Sequence, residues 1–361
     1  MEQIGIGIIG SGMIVLANHL PGFAMCPQAK VVALCDSNST VLENASRQSG
    51  IAKTYTDYQQ LIEDPAVNAV VVATPNYLHA PIVLAATAAG KHVFCEKPLA
   101  MNLAETVRML EAARAANVRH MTAFTYRFVP AMHYMAHQVK AGAIGQPYHF
   151  RAQRFQDWGS RNLGWRQIKS LAGTGELGDM LSHRIDFGHA LAGPITRLVG
   201  NTRRFIDDRG GKPSDLDDWV AVLADFTSGA TGVLESTKLA TGRGEGGKSR
   251  DFCEINGSEG TLIYHLGTPN EVQIGNAGAS GVSTIPVPEQ FLKWPGSPRD
   301  VRVGDPVQTF RYDQDFEFVD AILKGRDCVP SFVDGVRAQA VMDAIVTSTE
   351  ERKWVDVAQV A

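Results

Sequence analysis

"GIIGSGMIVLANH", residues 7–19, decides the fold. The apolar run "QIGIGIIG" that leads into it reads as a short strand, and Gly7, Gly10 and Gly12 stand between that strand and a helix-like stretch. Gly10-Ser11-Gly12 permits a tight turn and lets a pyrophosphate approach the backbone and meet the helix N-terminus. The next apolar strand, "KVVALCD", ends in Asp36, 24 residues after Gly12. An acid there accepts hydrogen bonds from ribose hydroxyls and repels a 2'-phosphate, which favours NAD over NADP. Ser37 and Asn38 beside it would tolerate a phosphate only if the acid swung away. A glycine turn between any parallel strand and helix would look similar, so the fingerprint alone is weak. Its third glycine is replaced by Val15, which predicts looser packing of helix on strand.

Outward from this turn, short apolar strands alternate with helices through residue 122. "TVLENASRQSG", "DYQQLIED", "PIVLAATAAG" and "NLAETVRMLEAARAANV" read as helices, and "NAVVVATPN", "HVFCEKP" and "RHMTAF" as strands. That alternation predicts a parallel sheet covered on both faces. From residue 123 the texture changes. After a helix stopped by Gly142, strand-like segments with polar and apolar residues in alternation dominate, as in half-buried antiparallel strands. The expected fold is α/β, with a Rossmann domain over 1–122 and an α/β domain over 123–361 carrying a large, open, mostly antiparallel sheet. C-terminal helices, from "DQDFEFVDAILKG" onward, are free to pack back on the first domain. The Pro-, Gly- and Ser-rich segment 268–306 reads as loop or irregular edge, with no assignable chemistry.

Composition excludes several functions. The 361 residues carry a formal net charge of -4, with 44% hydrophobic and 20% charged residues. There is no basic footprint for nucleic acid and no apolar run long enough to span a membrane. The start lacks a leader pattern, which predicts a cytoplasmic protein. Cys26, Cys35, Cys95, Cys253 and Cys328 are odd in number and widely spaced, so they read as buried thiols in a reducing compartment.

Two segments follow strands at the carboxyl edge of the predicted sheet, where ligands bind in such folds. In "ATPNYLHAP", Thr74, Asn76 and His79 are either turn and cap residues or ligands. In "FCEKPLA", Lys97 is either half of a strand-ending salt bridge or a cation able to hydrogen-bond a developing alkoxide. A third segment, "GTGELGDMLSHRIDFGHALAG" at 173–193, places Asp179, His183, Asp186 and His189 on a helix. Asp179 and His183, four apart, share a face at about 5–6 Å between Cβ atoms. His183 and His189, six apart, point to different sides, so no metal is expected.

Together these marks resemble the glucose-fructose oxidoreductase / inositol dehydrogenase / rhizopine-catabolism (Gfo/Idh/MocA) family, in family order and over nearly the whole chain. The resemblance implies the two-domain fold above and NAD(P)-dependent hydride transfer between nicotinamide and a ring hydroxyl or ketone of a sugar, glycoside or cyclitol. It also implies a homodimer or homotetramer, with the open sheet as interface. Carried over by position, Lys97 binds the reacting hydroxyl, Pro98 follows a cis peptide, His183 is the acid/base, and Asp179 is its partner or a substrate ligand. Gly10, Ser11, Gly12, Met13, Asp36, Thr74, Asn76, His79, Glu96 and Lys97 match cofactor positions, as do Arg127, Trp165 and Arg166 at the nicotinamide end. Thr174 interrupts the usual glycine triplet. Substrate choice is open, with Tyr126, Arg154, Gln156, Asp157, Asn162 and Arg243 as further polar or aromatic candidates. Two other readings stand beside the dehydrogenase. One is an enzyme that recycles a tightly held NAD through a keto intermediate. The other is a non-catalytic dinucleotide-binding regulator.

Overall fold

The computed structural model describes residues 3–360. The chain forms two compact units, one comprising residues up to Thr125 with Gly296–Arg302 and Thr309–Val336, the other the remainder.

The first unit holds a six-stranded sheet of β1 (Ile4–Ile9), β2 (Ala29–Cys35), β3 (Thr54–Tyr55), β4 (Ala69–Val72), β5 (His92–Cys95) and β6 (His120–Thr122). Every pair is parallel and the order is β3-β2-β1-β4-β5-β6. This is the doubly wound order, whose switch point lies between β1 and β4. All residues of β1 and β4 are buried, as expected when helices cover both faces. Three of the helices begin where a short polar side chain accepts one of their first N–H groups. Asn38 caps Ser39–Ser49, Asp57 caps Tyr58–Glu63 and Asn102 caps Leu103–Ala115. Each such cap is worth about 1 kcal/mol. Helix Tyr312–Lys324 belongs to the same unit and packs on Leu20–Ala24.

The second unit holds nine strands: β7 (Pro147–Phe155), β8 (Ile195–Arg203), β9 (Trp219–Phe226), β10 (Thr231–Thr237), β11 (Arg250–Gly257), β12 (Gly260–His265), β13 (Glu271–Asn276), β14 (Ser283–Pro286) and β15 (Val355–Asp356). Their order is β14-β13-β12-β11-β7-β10-β9-β8-β15, antiparallel except for β7 with β10. The alternation is visible along β9, where Val220, Val222, Ala224 and Phe226 are buried while Leu223 is exposed. Helix Ser182–Ala192 lies on β7, β10 and β11, buried on almost every side. Phe187 meets Tyr264 edge-on at 6.0 Å between centroids. The α/β architecture with a mostly antiparallel second sheet is therefore as the sequence implied.

Three local features differ. Segment 268–306, read as loop or irregular edge, contributes β13, paired on both sides, and β14, the edge strand, whose single paired neighbour tolerates the composition. The stretch after the glycine turn begins as a π-helix, Val15–His19, before turning α at Leu20. Its widened turn accommodates Val15, wholly buried where a glycine was expected. The helix after the second glycine cluster likewise starts with a π segment, Leu177–Leu181, and becomes α from Ser182.

Candidate functional site

In the first unit the candidate residues gather at the carboxyl edge of the parallel sheet. Gly10 has φ +89°, and a Cβ there would lie 2.4 Å from the Ala73 carbonyl oxygen, so the turn demands glycine. Gly12 faces open space, and Met13 is 84% exposed, leaving the turn accessible. Asp36 closes the same edge. Its Oδ2 accepts the Ser11 N–H at 2.8 Å and its Oδ1 the Asn38 N–H at 2.9 Å, which fixes a partly exposed carboxylate beside the turn. Thr74 Oγ1, at the end of β4, is buried without a hydrogen-bond partner among the described residues. Buried hydroxyls are rarely left so, and this one fits a dinucleotide lying along the edge. Asn76 is 4% exposed in the next turn.

Two expected cofactor contacts serve the protein itself. His79 is wholly buried, with Nδ1 3.0 Å from the Pro98 carbonyl and Nε2 3.0 Å from that of Thr74. Burial lowers its pKa, so the neutral ring donates to one carbonyl and ties the TPNYLH segment to the turn behind Lys97. Glu96 is engaged as well. Its Oε1 faces His19 Nε2 at 3.2 Å, and its Oε2 accepts the Lys97 N–H at 3.2 Å, across the turn whose Lys97–Pro98 peptide is cis.

His19, which the sequence did not single out, organises this turn. It is wholly buried, with Nδ1 2.7 Å from Asp315 Oδ1. Burial alone would lower its pKa, but Asp315 and then Glu96 outweigh that and hold it at about 10. Burial pushes Asp315 up to about 6, while the imidazolium, opposing burial, draws Glu96 down. At neutral pH the three form an imidazolium between two carboxylates. A Cβ on Gly22 would lie 2.1 Å from Asp315 Oδ2, so glycine makes room for the acid.

In the second unit, Asp179 sits half-buried on the π segment and His183 on the first α turn, 2% exposed. The wider π turn still leaves residues four apart on one side. Tyr126 packs edge-on against the His183 ring at 4.7 Å. Asp217 holds the start of this helix by accepting the N–H of Gly175 at 2.7 Å and of Leu177 at 2.8 Å. A Cβ on Gly175 would lie 2.1 Å from the Asp217 carbonyl oxygen, so glycine is what lets the helix entry approach that backbone.

Two arginines are placed differently from expectation. Arg127, matched to a cofactor position, forms a two-point pair with Asp186 at 2.7 and 2.6 Å. Such a fork engages the Nε and Nη2 side of the guanidinium and anchors Arg127 to the helix. Arg154, matched to substrate, is 2% exposed and pairs with Asp251, which also pairs with the buried Arg184. Both guanidinium groups lie over the Tyr126 ring, at 5.7 and 5.0 Å. Arg154 thus supports Tyr126 instead of reaching solvent.

The remaining candidates are more dispersed. Gln156 is 5% exposed and its Oε1 has no partner among the described residues, leaving an acceptor for a ligand hydroxyl. Asp157 Oδ2 accepts the Gly242 N–H at 2.7 Å, closing the 239–251 loop on which Arg243 is exposed. Asn162 caps the Gly164 N–H at 2.8 Å, and Arg166 covers the half-buried Trp165 at 4.4 Å. Glu176 and Lys238, both buried, were also missed. An acid inside an apolar helix entry, "GELGD", was the available signal for the first.

Residues 4–125 match the profile of an oxidoreductase family with an NAD-binding Rossmann fold, and residues 132–263 that of the GFO/IDH/MocA C-terminal domain. Levoglucosan dehydrogenase of Pseudarthrobacter phenanthrenivorans is 33% identical, with 100% of each chain covered. Myo-inositol 2-dehydrogenase of Thermotoga maritima is 34% identical over 65% of this chain and 69% of its own. Among solved structures, levoglucosan dehydrogenase in complex with NADH and levoglucosan superposes with a TM-score of 0.91 at 33% identity, covering 99% of this chain and 100% of that one. The chain belongs to the Gfo/Idh/MocA family of NAD-binding oxidoreductases.

Proposed function

We propose that this chain is an NAD-dependent dehydrogenase that oxidises one ring hydroxyl of a neutral sugar, anhydro sugar or cyclitol, and reduces the ketone in reverse. The observation that carries this reading is the retention of Lys97 on its cis-proline turn and of Asp179 and His183 on the buried helix within a full-length match to a levoglucosan dehydrogenase. Bound NAD supplies the hydride acceptor, held by the Gly10–Met13 turn, Asp36, Thr74 and Asn76. His183 takes the hydroxyl proton as general base. Lys97 donates a hydrogen bond to the oxygen as negative charge develops. Asp179 orients the imidazole or takes an adjacent hydroxyl, and Gln156 Oε1 accepts from another. The basic side chains around this helix, Arg127, Arg154 and Arg184, are paired with Asp186 and Asp251, which favours an uncharged substrate.

The protein acts in the cytoplasm as a homodimer or homotetramer, with residues 1–122 binding cofactor and 123–361 binding substrate. The test is a panel of anhydro sugars, pyranoses and inositols with NAD or NADP, read by the absorbance of reduced nicotinamide. Substrate-dependent reduction of NAD is expected. No reduction with any sugar, together with NAD released on denaturation, would replace this reading with internal cofactor recycling.

A further inference from the structure

Glu176 is the residue that the mechanism leaves unused. It is wholly buried at the entry to the helix bearing Asp179 and His183. Its Oε1 is in close contact with Ser236 Oγ, and its Oε2 has no partner among the described residues. Ser236 Oγ also lies 3.0 Å from the Arg154 carbonyl oxygen. A hydroxyl has one proton, and a carbonyl can only accept. If Ser236 donates to the carbonyl, Glu176 must supply the proton of the second bond. The unpartnered Oε2 agrees, since a buried carboxylate with a bare oxygen costs far more than a neutral carboxyl.

We propose that Glu176 is a positioning residue that works as a neutral acid: it donates its proton to Ser236, fastens the helix entry to β10, and leaves Asp179 the one anion on that turn. The charged groups facing it are Lys238, just beyond β10 and 2% exposed, Asp179 on its own turn, and Asp217 ahead of β9. On β7, Ser236 Oγ reaches the Arg154 carbonyl, and the Arg154 guanidinium is paired with Asp251. Lys238 favours ionisation and makes no ion pair among the described residues. Its ammonium lies 5.5 Å over the Trp158 ring. The two aspartates oppose ionisation. Burial dominates and pushes Glu176 up to about 8.

The inference rests on Asp179 and His183 being the reacting pair, but its first test does not require turnover. Glu176→Gln keeps a donor toward Ser236 and cannot ionise. A folded pKa raised from 4.5 to about 8 makes wild-type stability fall as pH rises between those values and level off above. The wild-type unfolding constant, divided by that of E176Q, is therefore expected to rise by up to tenfold per pH unit across that window in denaturant titrations. The same gap at every pH, with E176Q the less stable, would show an ionised Glu176 paired to Lys238 and overturn the proposal. In turnover, Glu176→Ala is expected to lose up to about 10²-fold in kcat, E176Q to restore most of it, and the wild-type decline above pH of about 8 to be absent from E176Q. Matching alkaline limbs in wild type and E176Q would also overturn it. A wild type inert toward every sugar, with the stability pattern as expected, would instead refute the assignment of Asp179 and His183.

Discussion

Replacing His19 with alanine removes the cation between two buried carboxylates. Asp315 and Glu96 then face each other without the ring that separates them at 2.7 and 3.2 Å. Deleting one partner of a buried ion pair typically costs 3–5 kcal/mol, about what His19→Ala should lose at pH 7. For a chain of this size that lowers the melting temperature by roughly 4–7 °C. The pH dependence carries a definite sign. The imidazole pKa is raised from 6.5 to about 10, so its stabilisation is fully present below 6.5 and is lost as pH rises through 10. The deficit of H19A should therefore narrow between pH 7 and 10. Replacing Asp315 with asparagine removes one of the two stranded charges, so H19A/D315N should be more stable than the sum of the single losses predicts, by about 1–3 kcal/mol. Differential scanning calorimetry of the four proteins at neutral and alkaline pH makes the measurement. An H19A protein within about 0.5 kcal/mol of wild type, or strict additivity with D315N, would show that the imidazolium does not bind this turn together.

Further outcomes follow from other charges. Asp36→Ala should weaken NAD binding by about 10- to 150-fold, from loss of charge-assisted hydrogen bonds, and narrow the preference over NADP. Titration calorimetry with both cofactors checks this, and unchanged affinities would remove Asp36 from the ribose site. Asp251→Asn leaves Arg154 and Arg184 buried without their shared anion and should cost about 3–5 kcal/mol in urea unfolding. A loss below about 1 kcal/mol would mean that the two guanidinium groups find other partners.

What could be read in advance depended on how local the signal was. Parallel strands fully buried on both faces announce themselves as apolar runs, so β1 and β4 were legible, as was the alternation in β9 and β10. The two π segments were not, because one inserted residue leaves no mark on hydrophobic periodicity. His19 and Asp315 are 296 residues apart in sequence, and nothing near either one names the other. Arg154 is misleading for a different reason. On its own strand an arginine reads as solvent-facing, and only Asp251, opposite it on β11, supplies the charge that makes burial affordable. Glu96 and His79 lie in motifs whose positions were recognised, but their side chains hold the Lys97 turn from behind. Asp217 explains Gly175 only after the loop ahead of β9 is folded against it.

The most direct measurement is steady-state turnover of wild type, Lys97→Ala and His183→Asn on the best substrate of the panel, with NAD affinity measured separately for each protein. If Lys97 and His183 handle the charge and the proton of one hydroxyl, each variant loses about 10²- to 10⁴-fold in kcat while binding NAD as wild type does. Turnover within a few-fold of wild type in either variant, with the cofactor bound normally, would contradict that chemistry.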